Sequence, residues 1–226
     1  MLANTRRIGG IAGIAYVVLF IIGILLQGDT PMADDDIESV REFFADSDKT
    51  NMYLVGDWLI GIAFIFLFLP FLSSLRSVLG VADPSGGMWA RLAFAGGILV
   101  LAAGLAGSLA WGSLALLPVT DIDDSTLLFA NRINHYGFGS GLPLTLAALI
   151  VPASLVVVAS GVFWRWLGYA GLIVALANVV GALWVIEGDQ ETFIGLFSLI
   201  GFAGYGLWML ATSIALLMSA KDEATV

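Results

Sequence analysis

The sequence predicts an all-α protein: a bundle of six transmembrane helices forming one domain over residues 1–226, with short amphipathic helices in its two longer outer loops. Apolar residues make up 59% of the chain and charged residues only 12%, which is about half the charged fraction of an ordinary soluble domain. The charges are also confined to short segments, separated by stretches about as long as a helix that crosses a bilayer. These observations exclude a cytosolic enzyme, a nucleic-acid-binding protein and a disordered chain.

Six stretches without Asp, Glu, Lys or Arg separate the charged segments. A helix needs about 20 predominantly apolar residues to cross the hydrocarbon core, so each stretch is long enough for one span and too short for two. Strands of a membrane barrel would instead be ~10 residues long and would alternate polar with apolar residues. We therefore predict spans at roughly residues 8–28, 54–75, 92–116, 138–161, 166–186 and 193–217.

The basic residues predict the orientation of these spans. With the N terminus inside, three basic residues fall on the outer side, namely Arg41, Lys49 and Arg132, and the other six fall on the inner side. Lys and Arg in short loops are retained in the cytoplasm, which predicts that both termini are inside. The expected location is the inner (plasma) membrane, with fifteen of the eighteen acidic residues on its extracytoplasmic side.

The two longer outer loops, residues 34–46 and 121–135, share one pattern. Each begins with acidic residues and continues with apolar residues at helical spacing. We expect two short amphipathic helices that cover the ends of the bundle. An EF-hand calcium loop is excluded, because Arg132 occupies the position at which that loop requires a glutamate.

Residues that carry cofactor or catalytic chemistry are scarce. The chain has no cysteine and one histidine, His135. This excludes disulfides, thiol-ligated metals and sites that need two imidazoles, such as HExxH zinc centres. We predict no metal, no cofactor and no catalytic residue, so the sequence favours a protein that is not an enzyme.

Four polar side chains form a candidate site: Asp57, Arg132, His135 and Asn178. Asp57 lies about one turn inside the second span, where an unpaired carboxylate is poorly solvated. The simplest interpretation is contact with water at the interface. The alternative is a partner in the second outer loop, Arg132 or His135, and the hypothesis to be tested is a pair of Asp57 with Arg132. Asn178 lies near the centre of the fifth span, where asparagine usually hydrogen-bonds a neighbouring helix, with a substrate contact as the alternative.

Small residues recur at helical spacing in three of the spans. Such residues let helix backbones approach closely, either within the bundle or between copies of the chain. The predicted packing residues are Gly9, Gly13, Gly104, Ser108, Gly112, Ala177 and Gly181.

Two segments carry a family resemblance. RIGGIAGIAYVVLFIIGIL opens the first span, and FWRWLG at residues 163–168 runs directly into the fifth span. Together with the length and the helix count, they resemble the uncharacterised six-helix prokaryotic integral membrane proteins classed as domains of unknown function. The resemblance implies an inner-membrane location and a single helical domain, and it brings no catalytic residues.

Three functional classes follow for a multi-pass membrane protein of this kind. We favour a membrane-embedded scaffold or accessory subunit that binds protein or lipid partners, or a second copy of itself, through small-residue helix faces. The alternative is a transporter of small molecules or lipids with a pocket opening to the outer face. A lipid-modifying enzyme is the third class. A large polar cavity would favour the transporter, and exposed glycine faces would favour the scaffold.

The topology can be tested with reporter fusions. Because basic residues are concentrated on one side, we expect fusions at both termini and within residues 76–91 to report a cytoplasmic location. Fusions after the first, third and fifth spans should report an external one. A cytoplasmic location of residues 34–36 would contradict this orientation.

Overall fold

The charge-free stretches form long helices in a computed structural model that describes residues 2–184 and 193–224, with side chains from 4 to 184 and from 193 to 220. In these residues there are seven helices longer than one turn and no strand. We label them α1 (Leu2–Gln27), α2 (Ile37–Ala45), α3 (Ser47–Ala82), α4 (Met88–Leu114), α5 (Asp124–Ser160), α6 (Arg165–Gly181) and α7 (Phe193–Ala224).

Five of these helices, α1, α3, α4, α5 and α7, are long and apolar enough to cross a membrane. The all-helical prediction is therefore confirmed. Helix α6 is apolar but has only 17 residues. The predicted fifth span, residues 166–186, extends beyond α6, and residues 185–186 lie outside the described residues. The count of six spans stays a prediction.

The long helices form a closed ring in chain order. Helix α1 packs on α3, and α3 on α4; the ring continues through α5, α6 and α7, which packs back on α1. Neighbouring helices are antiparallel: Gly13 of α1 lies beside Ser213 of α7, and the rings of Phe20 and Phe202 are 5.8 Å apart further along. Helix α2 follows the end of α1 and packs on the ends of α3 and α5. We call this end of the ring the α2 end.

Glycine sets the distance between adjacent helices. A Cβ atom added to Gly96 of α4 would lie less than 3.0 Å from the backbone of Ala148 in α5. One added to Gly181 of α6 would lie 2.5 Å from the Cα atom of Ser198 in α7. Because the opposing atoms belong to the backbone, no side-chain movement could relieve these contacts. Such close backbone approach is typical of helix packing in membranes.

Two prolines explain a widened turn in each of two helices. Residues Ala63–Phe68 of α3 and Gly137–Gly141 of α5 are π-helical, and they precede Pro70 and Pro143. A proline has no N–H to donate, and its ring clashes with the carbonyl four residues earlier. A π turn shifts the hydrogen bonds by one residue, as in the bond from the Leu142 N–H to the carbonyl of Gly137.

Helix α2 is the amphipathic helix predicted in the first outer loop. It buries Val40, Phe43 and Phe44 against Tyr53 of α3 and Trp111 of α4. It begins at Asp36, whose carboxylate accepts a hydrogen bond from the Ser39 N–H at 2.8 Å. That hydrogen bond lowers the pKa of the Asp36 carboxyl.

Arg41 fastens α2 to the segment between α4 and α5. Its Nε donates to Asp124 Oδ1 at 2.8 Å, and its Nη atoms donate to the carbonyl oxygens of Val119 and Ile122 at 3.2 and 2.9 Å. An ion pair on the surface contributes little by itself, but Arg41 also donates to two backbone carbonyls of this segment.

The second predicted outer helix is not separate, which corrects the sequence interpretation. Residues 124–136 form the first turns of α5, and the helix continues through the π turn into the membrane-length segment. Asp123 begins the helix as predicted from the acidic start, and hydrogen bonds from Ser125 and Thr126 lower the pKa of its carboxyl.

Two alanine substitutions in α4 test the role of glycine. Gly96→Ala should lower the free energy of unfolding by ~1–3 kcal/mol, because overpacking forces backbones apart. Gly112→Ala is the matched control: the nearest neighbour of an added Cβ is Asp57 Oδ2 at 3.8 Å, so the better helix propensity should stabilise by ~0.5–1 kcal/mol. Thermal unfolding in detergent measures both. Equal stabilities of the two variants would contradict the packing described above.

Candidate functional site

A cavity of about 660 Å³ lies inside the ring, towards the α2 end. Its walls come from α1, α3, α5 and α7, with Trp184 after α6. A volume of ~300–1,000 Å³ is typical of small-molecule sites. The cavity is therefore large enough to hold a ligand or part of a lipid.

The lining of the cavity divides by polarity along its length. Helix α1 runs towards the α2 end, so Phe20 lies deeper in the ring than Gln27. Helix α5 runs away from that end, so Leu142 lies deeper than Asn134. The deep part is lined mostly by apolar side chains, with Ser198 as the polar exception; the apolar residues are Phe20, Ile60, Leu142, Pro143, Leu199 and Phe202. The part near the α2 end, which we call the mouth, carries Gln27, Thr30, Asn134 and His135.

The mouth is held in place by hydrogen bonds between α5 and the chain that follows α1. His135 Nε2 lies 2.6 Å from the carbonyl oxygen of Pro31, and a carbonyl can only accept, so this nitrogen donates. Asn131 Nδ2 donates to the carbonyl of Met32 at 2.8 Å. Thr30 and Met32 are thereby positioned beside the cavity.

Asn134 brings an unpaired acceptor to the mouth. The residue is only 9% exposed, and its Oδ1 atom has no hydrogen-bond partner within the described residues. Leaving a buried acceptor unpaired costs about 1–3 kcal/mol. Asn134 also lines the cavity, but Oδ1 itself is enclosed by protein atoms, so a hydroxyl, amine or ammonium group of a bound molecule would reach it after a rotation of the side chain.

Formal charges are absent from the cavity wall, as far as the described residues go: none of the lining residues is Asp, Glu, Lys or Arg. Near the mouth, Asp35 and Asp34 interact electrostatically with His135. Such a wall suits a neutral, zwitterionic or cationic polar group and offers nothing to balance an anion.

Of the four polar residues predicted from sequence, only His135 lines the cavity. Asp57 lies against Ser108 and Gly112 of α4, and Arg132 is exposed to solvent. Ion pairs between described residues join Arg41 to Asp124 and Lys49 to Asp46. The hypothesised pair of Asp57 with Arg132 is therefore wrong. Both residues were predicted near the same membrane surface, but Asp57 is directed to α4.

Asn178 connects two helices. Its Nδ2 atom donates to the carbonyl of Val174 at 2.9 Å in its own helix and to the carbonyl of Gly201 in α7 at 3.0 Å. The side chain is fully buried and lies away from the cavity wall. This is the hydrogen bond to a neighbouring helix described for Asn178 in the sequence analysis.

Most predicted packing residues face neighbouring helices of the same chain. Added Cβ atoms would meet Ser74, Ser213, Phe64 and Ser198 at less than 3.0 Å when placed on Gly9, Gly13, Gly104 and Gly181, respectively. Ala177 is buried, and Ser108 is half-buried. Gly112 is the exception, because it has no such close neighbour.

Sequence reasoning missed Asn134, Gln27 and Thr30. A signal for Asn134 was present: Asn131, Asn134 and His135 are spaced three and four residues apart and share one face of a helix. Gln27 and Thr30 lie at the end of a span, where polar residues are ordinary, so nothing distinguished them.

Comparison of the chain with protein-family models, with curated proteins and with solved structures finds no significant match. Among the described residues there is also no group of three or more His, Cys, Asp or Glu side chains that could hold a metal ion. The function must therefore be inferred from the cavity itself.

Proposed function

We propose that this protein is a membrane-embedded binding protein that holds one amphiphilic molecule, such as a membrane lipid, in its cavity. The observation that carries the proposal is the division of the lining. An apolar chain would occupy the deep part beside Phe20 and Leu142, and a polar group would lie at the mouth beside Asn134. An amphiphile satisfies both parts at once, whereas a polar solute would leave the deep part unmatched.

The proposal includes the predicted topology. With six spans and both termini in the cytoplasm, the α2 end and the mouth would lie on the outer side of the plasma membrane. The excess of basic residues on the opposite side supports this orientation. The polar group of the bound molecule would then lie near the outer membrane surface, at the depth at which lipid head groups occur.

The scaffold interpretation has less support. A scaffold of this kind needs faces of small residues that a partner helix can reach. Among the described residues, however, the close contacts of Gly9, Gly13, Gly104 and Gly181 are made with other helices of the same chain. The glycines with open space around them inside helices, such as Gly61, Gly80 and Gly206, are far apart and form no repeated face.

Binding is favoured over transport because the ring is filled below the cavity. Tyr16, Phe64, Phe68 and Phe71 are each no more than 1% exposed, and their rings pack in mutual contact, with centroids 5.4–6.2 Å apart. A passage to the opposite end would require this aromatic cluster to separate.

Asn134→Leu tests the proposal through native mass spectrometry of protein purified from its own membranes. We expect wild type to carry one amphiphile per chain. The variant loses one hydrogen bond to the polar group, worth ~1–1.5 kcal/mol, so its affinity should fall about tenfold. Its stability without ligand should not fall, because the removed acceptor has no hydrogen-bond partner among the described residues.

Ser154→Ala is the matched control on the same helix. The Oγ atom of Ser154 is also buried with no hydrogen-bond partner among the described residues, but Ser154 is not part of the cavity wall, so we expect retained binding. The proposal fails if wild type carries no amphiphile, or if Asn134→Leu retains the same amount as wild type.

A further inference from the structure

Helices α1 and α7 are in close contact over only part of their length. An added Cβ on Gly10 would lie 2.5 Å from Leu217 Cγ, and Gly13 faces Ser213. The contact continues through the Tyr16 and Tyr205 hydroxyls, 3.5 Å apart, in the core. Phe20 and Phe202 make the contact nearest the α2 end among the described ring pairs of these two helices.

Beyond Phe20, α1 continues to pack on α3, as it does at Gly9 and Ser74. An added Cβ on Gly23 would lie 2.9 Å from the carbonyl oxygen of Gly56 in α3. One added to Gly56 would in turn lie 2.8 Å from Cγ of Gln27. The last two turns of α1 are therefore held against α3.

The corresponding part of α7 is held against α6. Gly181 and Asn178 of α6 meet Ser198 and Gly201 of α7 at backbone contact distance, and the Asn178 hydrogen bond reinforces this contact. Beyond Phe20 and Phe202, α1 and α7 both contribute side chains to the cavity wall, Ile24 and Gln27 from α1 and Leu196 and Leu199 from α7, so the cavity lies between the two helices at this level.

Three side chains of the cavity lining are also exposed. They are Ile24 of α1 and Leu196 and Leu199 of α7, which are 36%, 49% and 65% exposed. Side chains that both line a cavity and remain exposed mark its opening. All three are apolar, as expected for a surface that faces lipid chains and not water.

We propose that the cleft between α1 and α7, edged by Ile24, Leu196 and Leu199, is a side portal through which the amphiphile passes from the surrounding bilayer leaflet. This inference rests on the proposed function. It identifies the occupant as a molecule already dissolved in the membrane. Its chain enters between the two helices, and its polar group stays level with the mouth.

A cross-link over the portal tests this route. The chain contains no cysteine, so the variant Ile24→Cys/Leu199→Cys has only two thiols. The protein is equilibrated with vesicles of phosphatidylcholine and deuterated phosphatidylethanolamine, whose ammonium group can donate to Asn134. It is then treated with a cleavable bismaleimide and transferred to unlabelled vesicles. Native mass spectrometry follows the deuterated lipid that remains bound.

The control pair Ile11→Cys/Ile214→Cys lies on the same two helices at the level where they are already in contact, and both positions are exposed. We expect cross-linking at 24 and 199 to slow release at least tenfold, cleavage of the linker to restore it, and cross-linking of the control pair to leave it unchanged. Equal release with and without the linker at 24 and 199 would overturn the portal. Absence of bound deuterated lipid before transfer would instead overturn the proposed function, and the portal with it.

A second pair of variants needs no cross-link. Leu199→Trp places a larger side chain at the portal, and Leu207→Trp places the same side chain on α7 at a position that is equally exposed, at 68%, but lies outside the cavity wall. Release should slow in the first variant only. Identical release from both variants would contradict a portal at Leu199.

Discussion

Close approach of helix backbones at glycine is the constraint on which the rest of this structure depends. In a bilayer, lipid chains are as apolar as the helix surfaces, so association relies on shape and on van der Waals contact. Gly96, Gly181 and Gly56 each bring one helix against the backbone of the next. These contacts set how closely neighbouring helices approach, and the cavity lies between α1 and α7 at the level beyond Phe20 and Phe202.

The α2 end converts this apolar ring into a site with a polar opening. Helix α2 covers α3 and α4 through its buried aromatic face, and Arg41 fixes it to the segment before α5. His135 and Asn131 hold the chain after α1 against α5. Asn131 and Asn134 each keep a buried Oδ1 atom with no hydrogen-bond partner among the described residues. Asn134 differs from Asn131 in that it lines the cavity.

The sequence was sufficient to predict helices and their approximate positions, because a hydrocarbon core requires apolar segments of a certain length. It was insufficient where the direction of a side chain around a helix matters. Asp57 and Arg132 were placed at the same membrane depth, yet Asp57 is directed to α4 and Arg132 to solvent. The π turns of α3 and α5 also shift the helical register after Ala63 and Gly137.

The central claim is that the cavity between α1 and α7 is a site for an amphiphile. A high-resolution density map of the protein purified from its own membranes, without added lipid, tests it most directly. The expected result is continuous elongated density inside the ring, with a polar end within hydrogen-bond distance of Asn134 Oδ1 and an apolar end beside Phe20 and Phe202. A ring in which α1 and α7 are in contact up to Gln27, with no cavity between them, would contradict the account.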